Sequence, residues 1–208
     1  MEWLQLPLGA IQTNAYIIYN QQKDAVIIDP GDEFDKIKDA VETRGLNPNA
    51  ILLTHAHFDH IGALDKTRDH WNIPVYLHIK ESDWLDHPDK NGSAYFPMVS
   101  NITLKPADIL IESEKLLTIG SFTFEILETP GHSPGSVSFY VRQENVIFSG
   151  DALFYGSIGR TDLYGGDQKQ LLESIDSKLL VLPDETIVAP GHGFETTIKN
   201  ERMSNPFF

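Results

Sequence analysis

Apolar positions along the chain fall into short runs broken by polar punctuation, and the period changes from run to run. TNAYIIY (13–19) and DAVIID (24–29) are rich in β-branched and aromatic side chains and are joined by the polar NQQKD, which predicts a strand pair. GDEFDKIKDAVETRGL (31–46) switches to helical period. Phe34, Ile37 and Val41 share one face, Asp32 stands where an N-cap is expected, and Gly45 closes the helix. AILLTH (50–55) is a continuous apolar run and predicts a buried strand, and a helix is expected from near His60 toward Trp71. IPVYLH (73–78) reads as a strand and KESDWLD (80–86) as a short helix. Residues 86–108, interrupted by Pro88, Pro97 and Pro106, predict a long loop that serves as a lid or a pocket wall. FTFEILE (122–128), SVSFYVR (136–142) and NVIFSG (145–150) follow as strands. DQKQLLESIDSKLLVL (167–182) is an amphipathic helix, TIVAPG (186–191) a strand, and a short helix from Thr196 ends the chain. Antiparallel-looking pairs mixed with strand–helix units predict an α/β fold with two mixed sheets packed together and helices outside. With no linker, repeat or low-complexity stretch, residues 1–208 are expected to form a single domain.

Composition narrows the function classes. Cysteine is absent, which removes disulfides, thiolate ligands and a cysteine nucleophile. No basic segment followed by an apolar stretch opens the chain, and no apolar run approaches a membrane span, so a cytoplasmic protein without a membrane partner is expected. Sixteen basic against 30 acidic residues give a formal net charge of −14. Phosphate backbones attract basic faces, so nucleic acid is not an expected partner.

The chemistry sits at the ends of the apolar strands. AVIID ends in Asp29, AILLT leads into His55-Ala56-His57-Phe58-Asp59-His60, FEILETPG into His132, VIFSG into Asp151 and TIVAPG into His192. Loops after strand C-termini are where α/β folds hold ligands. Imidazole and carboxylate are ligands of zinc and of iron(II). His55 and His57 point the same way in an extended segment, while Asp59 and His60 follow a turn and face a neighbouring point. One metal would take His55, His57 and His132, and a second Asp59, His60 and His192, with Asp151 bridging the pair. Chance would produce H-x-H-x-D-H on the order of once in a thousand sequences of this composition. His70, His78 and His87 lie outside this spacing and read as ordinary surface or helix residues.

THAHFDH, TPGHSPGS, FSGDALF and APGHG together resemble the motif series of the metallo-β-lactamase fold superfamily. The resemblance covers nearly the whole chain. It implies a four-layer αββα sandwich with a dinuclear site at one edge. QTNAYIIY, IIDPGD, GHSPGS, GDALF and the tail GHGFETTIKNERMSNPFF are further similar to hydroxyacylglutathione hydrolases, or glyoxalase II. That likeness implies metal roles for His55, His57, Asp59, His60, His132, Asp151 and His192, with Asp59 and Asp151 the expected catalytic carboxylates. It implies that Asp29 orients a ligand histidine, and that Arg160 in GRTD contacts an anionic thiol carrier, with Tyr155 and Tyr164 lining the pocket. A structural pairing of Arg160 with Asp162 is the competing role. Longer glyoxalase II proteins add a C-terminal helical domain whose basic residues help hold glutathione, and this chain stops at Phe208 without it, resembling the short single-domain relatives.

The expected reaction is hydrolysis of a small-molecule thioester, such as S-lactoylglutathione, to a 2-hydroxy acid and a thiol. Two divalent ions, zinc first and iron or manganese also fitting, would provide a bridging hydroxide and stabilise the oxyanion. A thiol with a pKa near 8.5 leaves without a strong general acid, which suits a site whose carboxylates all serve metal. GDALF…GRTD also resembles persulfide dioxygenases of this fold, which hold one iron through residues matching His57, His132 and Asp151. Hydrolysis of another ester or a lactone fits the same residues. β-Lactamases often use a cysteine ligand or lack the equivalent of Asp59, and a non-catalytic scaffold would be marked by lost ligands.

Overall fold

The alternating and continuous apolar runs become two six-stranded mixed sheets in the computed structural model, which describes residues 1–97 and 99–208. The chain divides into two compact units: Met1–Ile111 with Ile119–Phe122, and Glu112–Thr118 with Thr123–Phe208.

In the first unit, β1 (Glu2–Leu8), β2 (Thr13–Tyr19), β3 (Asp24–Ile28), β4 (Asn47–Leu52), β5 (Val75–His78) and β6 (Ile109–Ile111) lie side by side in sequence order. β1, β2 and β3 pair antiparallel, and β3 to β6 run parallel. β2 and β3 are almost entirely buried and β4 is buried from Ala50 to Leu52, as their apolar runs require. The pattern had not singled out β1, an edge strand whose residues are mostly half-buried and so show no clean alternation.

α1 (Phe34–Glu42) buries Ile37 and Val41. Its N-cap is Glu33 rather than Asp32, because the Asp32 carboxylate instead accepts the neighbouring Glu33 N–H at 2.7 Å. Gly45 takes a left-handed conformation (φ 61°) just past the helix end, while the Leu46 N–H reaches back to Val41 O. The helix expected from His60 to Trp71 is broken into α2 (Phe58–Ile61) and α3 (Leu64–Trp71). The cause is a contact distant in sequence: the Ala63 N–H donates to Pro30 O at 3.0 Å instead of to its own helix. KESDWLD forms two separate single turns, Ile79–Glu81 and Trp84–Asp86.

The expected loop 86–108 contains no strand among its described residues, and Met98 lies outside them. It is nonetheless anchored. The buried Asn91 amide donates to Trp84 O and Ile102 O, both at 3.0 Å, and its oxygen accepts the Ser93 N–H. Phe58 N donates to Asn91 O at 2.9 Å, tying the loop to the start of α2.

The second sheet joins β7 (Leu116–Ile119), β8 (Phe122–Glu128), β9 (Val137–Val141), β10 (Val146–Gly150), β13 (Ile187–Pro190) and β14 (Thr196–Thr197) in the order β14-β13-β10-β9-β8-β7. Between β10 and β13 a two-stranded hairpin forms from β11 (Leu153–Phe154) and β12 (Ser157–Ile158). β8 and β10 are both antiparallel to β9, and β13 is parallel to β10. The C-terminal ends of β8, β10 and β13 therefore share one edge. α4 (Gln168–Ser174) is capped by the Asp167 carboxylate and widens into a looser turn over Ile175–Leu179. Leu171, Ile175 and Leu179 form its buried face. α5 (Ile198–Ser204) starts after Thr197, whose hydroxyl accepts the Asn200 N–H. Among the described residues, no helix is long and apolar enough to cross a membrane.

Candidate functional site

Each unit gathers its own share of histidines and aspartates at strand C-termini. In the first unit, β3 ends at Ile28 and β4 at Leu52, and the two parallel strands deliver Asp29 and the segment 53–60 to one edge. His55, His57 and His60 are all buried, and their rings are in contact: His55 lies 4.8 Å from His57 and 4.1 Å from His60, centroid to centroid. His55 and His57, His55 and His60, and Asp59 and His60 each bring ligand atoms within 4.8 Å of one another.

Asp29 organises this group. It is a non-glycine residue at φ 49°, a conformation Asp tolerates better than most. Its carboxylate accepts the Thr54 N–H at 2.8 Å, the Thr54 hydroxyl at 2.6 Å and His60 Nδ1 at 2.9 Å. The tautomers follow. A carboxylate oxygen only accepts, so His60 Nδ1 carries the proton and Nε2 the lone pair of the neutral ring. Thr54 has one hydroxyl proton and gives it to Asp29, so at 3.0 Å from His55 Nδ1 its oxygen must accept, and His55 also presents Nε2 as the lone-pair nitrogen. Thr13 Oγ1 donates to Asp59 Oδ2 at 2.7 Å, and the buried Glu81 carboxylate accepts the Ala56 N–H at 2.7 Å, fixing the backbone between His55 and His57.

In the second unit, His132, Asp151 and His192 follow β8, β10 and β13. His132 Nε2 and His192 Nε2 each lie 3.5 Å from Asp151 Oδ2. His132 Nδ1 sits 2.7 Å from the Arg160 carbonyl, again an acceptor, so its neutral ring presents Nε2 as well. Here the orienting group is main chain. Phe154 stands edge-on to the His192 ring at 5.9 Å.

A glycine backs each aspartate. A Cβ on Gly31 would fall 2.0 Å from Asp59 O, and one on Gly159 would fall 1.9 Å from Asp151 O. Only glycine permits these approaches.

The donor sets fit a metal. Two donors on one tetrahedral ion sit about 3.3 Å apart when the bonds are about 2.0–2.1 Å. His60 Nε2 and Asp59 Oδ2, at 3.5 Å, match that spacing, as do both histidines around Asp151. Fixing Nδ1 through an oxygen acceptor is how proteins prepare histidine to ligate through Nε2.

The remaining site residues of the sequence analysis lie at the surface of the second unit. Arg160 makes a bidentate pair with Asp162, at 2.6 and 2.7 Å, the structural role weighed against substrate steering. The hydrogen bonds from Arg160 hold the Asp162 carboxyl down at about 2. Tyr155 and Tyr164 are exposed. Thr13, Thr54, Glu81 and the Arg160 carbonyl had escaped the sequence reading. Thr54 adjoins the histidine cluster in sequence, whereas Glu81 and a carbonyl leave no sequence signal.

The profile of the metallo-beta-lactamase superfamily matches residues 8–192. The chain belongs to the metallo-beta-lactamase superfamily. Within that superfamily it groups with metallo-hydrolases. It is 53% identical over 207 residues to the probable metallo-hydrolase YqgX of Bacillus subtilis, covering 100% of this chain and 97% of that one. It is 37% identical over 202 residues to the hydroxyacylglutathione hydrolase GloC of Haemophilus influenzae, covering 97% and 95%. Among solved structures, the BLEG-1 B3 metallo-beta-lactamase is 57% identical and covers 99% of each chain at a TM-score of 0.97. TTHA1623 in a di-iron-bound form is 42% identical, covering 99% and 100%, at a TM-score of 0.88. The fold is thus the α/β metallo-beta-lactamase fold, with two mixed sheets that each carry helices. Its His and Asp groups imply divalent metal ions.

Proposed function

We propose that the chain is a dinuclear metal-dependent hydrolase that cleaves a thioester to a 2-hydroxy acid and a thiol. The observation that carries this reading is the hydrogen-bonded control of three histidines. His55, His60 and His132 each commit Nδ1 to an oxygen and present Nε2 for ligation. On this reading His55, His57 and His132 would hold one ion, Asp59, His60 and His192 the other, with Asp151 available to both. Two such ions, when bound, supply an activated water near neutral pH and Lewis acidity toward a carbonyl. The protein's own part is to keep the ligands aimed. Asp29 and Thr54 restrain His60 and His55, Glu81 restrains the loop between His55 and His57, and Thr13 orients Asp59. Asp59 and Asp151 are the carboxylates at the reacting centre. A thiol leaving group, with a pKa near 8.5, departs as thiolate without a dedicated acid. Arg160, Tyr155 and Tyr164 are assigned to the thiol carrier, with Arg160 exchanging its Asp162 partner for a substrate carboxylate. The likeness to GloC supports the thioester and a hydroxyacyl group.

The test is thiol release from S-lactoylglutathione and other 2-hydroxyacyl thioesters by metal-loaded protein, beside a chelated control. Metal-dependent release supports the reading, and its absence across the thioesters overturns it. The 57% likeness to a B3 metallo-beta-lactamase favours β-lactam hydrolysis as a second reading, checked with a chromogenic cephalosporin in the same assay. Oxygen uptake with a thiol persulfide would instead indicate single-iron dioxygenase chemistry.

A further inference from the structure

The first unit contains a cavity of about 600 Å³. One wall is the turn between β1 and β2, with Leu8 and the half-exposed Ile11. A second wall is the anchored loop, with Phe96, Val99 and Ile102. Phe58, its ring tilted against that of Phe96 at 4.7 Å between centroids, lines the cavity together with Asp59. Asn91 and Ser93 fix the second wall, since Ile102 gives its carbonyl to Asn91 and its N–H to Ser93 Oγ. This cavity is therefore built rather than left over between loose segments.

Its chemistry selects an occupant. Among the described lining residues the charged groups are Asp32 and Asp59, and none is a lysine or arginine. With no cation to hold an anionic thiol carrier such as glutathione, the pocket suits the acyl end of a substrate. A lactoyl group takes up on the order of 150 Å³, at about 30 Å³ per heavy atom. That leaves most of the cavity for apolar carbons.

We propose that this pocket binds an apolar acyl chain several methylenes longer than lactoyl, and that it directs the enzyme to medium-chain 2-hydroxyacyl thioesters. The proposal rests on the thioesterase reading above, and deepens it by naming the acyl class. Each buried methylene contributes about fourfold in affinity.

The experiment compares metal-loaded protein on N-acetylcysteamine thioesters from 2-hydroxypropanoyl to 2-hydroxyoctanoyl. In parallel, calorimetry measures binding of the uncleavable thioethers S-ethyl- and S-octyl-N-acetylcysteamine. kcat/KM is expected to climb at least tenfold along the acyl series, and the octyl thioether to bind at least tenfold tighter than the ethyl. Ile11→Glu puts a charge into the wall at a half-exposed turn position, and should flatten both trends while the melting temperature stays within a few degrees. Hydrolysis with no chain-length dependence and equal thioether binding would overturn the pocket while leaving thioester hydrolysis standing. Octyl preference without cleavage of any thioester would support the pocket and overturn the thioesterase reading. Neither cleavage nor preference would overturn both.

Discussion

On the proposed reading, the two units prepare histidines for the same task by different means. In the first, side chains do the orienting: one carboxylate, Asp29, reaches Thr54 twice and His60 once, and Thr54 passes the constraint on to His55. In the second, His132 is held by the Arg160 carbonyl, and Asp151 and the two histidines beside it come from three strand ends. A side-chain network can be cut by one substitution, whereas a carbonyl survives every replacement of its own side chain. The first unit should therefore be sensitive to point changes at Asp29 and Thr54, and the second insensitive at Arg160.

The largest effect is expected at Asp29→Ala, which strips three hydrogen bonds from a buried cluster. It should cost about 3–5 kcal/mol of stability and weaken metal binding about 10–100-fold. Denaturant unfolding and metal titration check both, and a near-neutral result would break the contrast between the units. Gly31→Ala and Gly159→Ala come next, each forcing a Cβ to about 2 Å from an aspartate carbonyl. Both should lose about 1–3 kcal/mol by overpacking, with metal content falling in parallel. Here the units should behave alike, since both depend on main-chain approach. Thr54→Val keeps the amide bond to Asp29 but removes the hydroxyl, for an expected loss of about 1 kcal/mol. The smallest effects belong to the surface pair. Arg160→Ala should leave the melting temperature and metal content unchanged while KM rises for thioesters of anionic thiols, and a stability loss alone would mean that the pair with Asp162 is purely structural. Arg160 lowers the Asp162 carboxyl from 3.8 to about 2, so its stabilisation is fully present above pH 4 and fades as pH falls toward 2. Acid unfolding of Asp162→Asn should differ from the parent protein above pH 4, and less and less as pH falls toward 2, and only slightly throughout, because solvent and salt screen the exposed pair.

This asymmetry also governs what the sequence could reveal. His55, His57, Asp59 and His60 are contiguous, so their spacing alone suggested a shared task. His132, Asp151 and His192 were legible because each follows an apolar strand, and in the structure the strands β8, β10 and β13 end at one edge. Asp29 could be linked to a histidine only through family likeness, since its partner His60 lies 31 residues away. The Arg160 carbonyl carries no side-chain signature. Helix continuity failed at Gly62 and Ala63 because Pro30, remote in sequence, captures the Ala63 N–H. Residues 86–108 read as a long loop from their prolines and glycines, yet Asn91 anchors it through three hydrogen bonds that no periodicity encodes.

The central claim is that both ligand sets serve one pair of ions. Elemental analysis of the metal-to-chain ratio, after loading and desalting, tests it most directly when the intact protein is set beside His57→Ala and His192→Ala. The account predicts two ions per chain, falling toward one in either variant. A ratio well below one in the intact protein, or one that neither substitution changes, would contradict it.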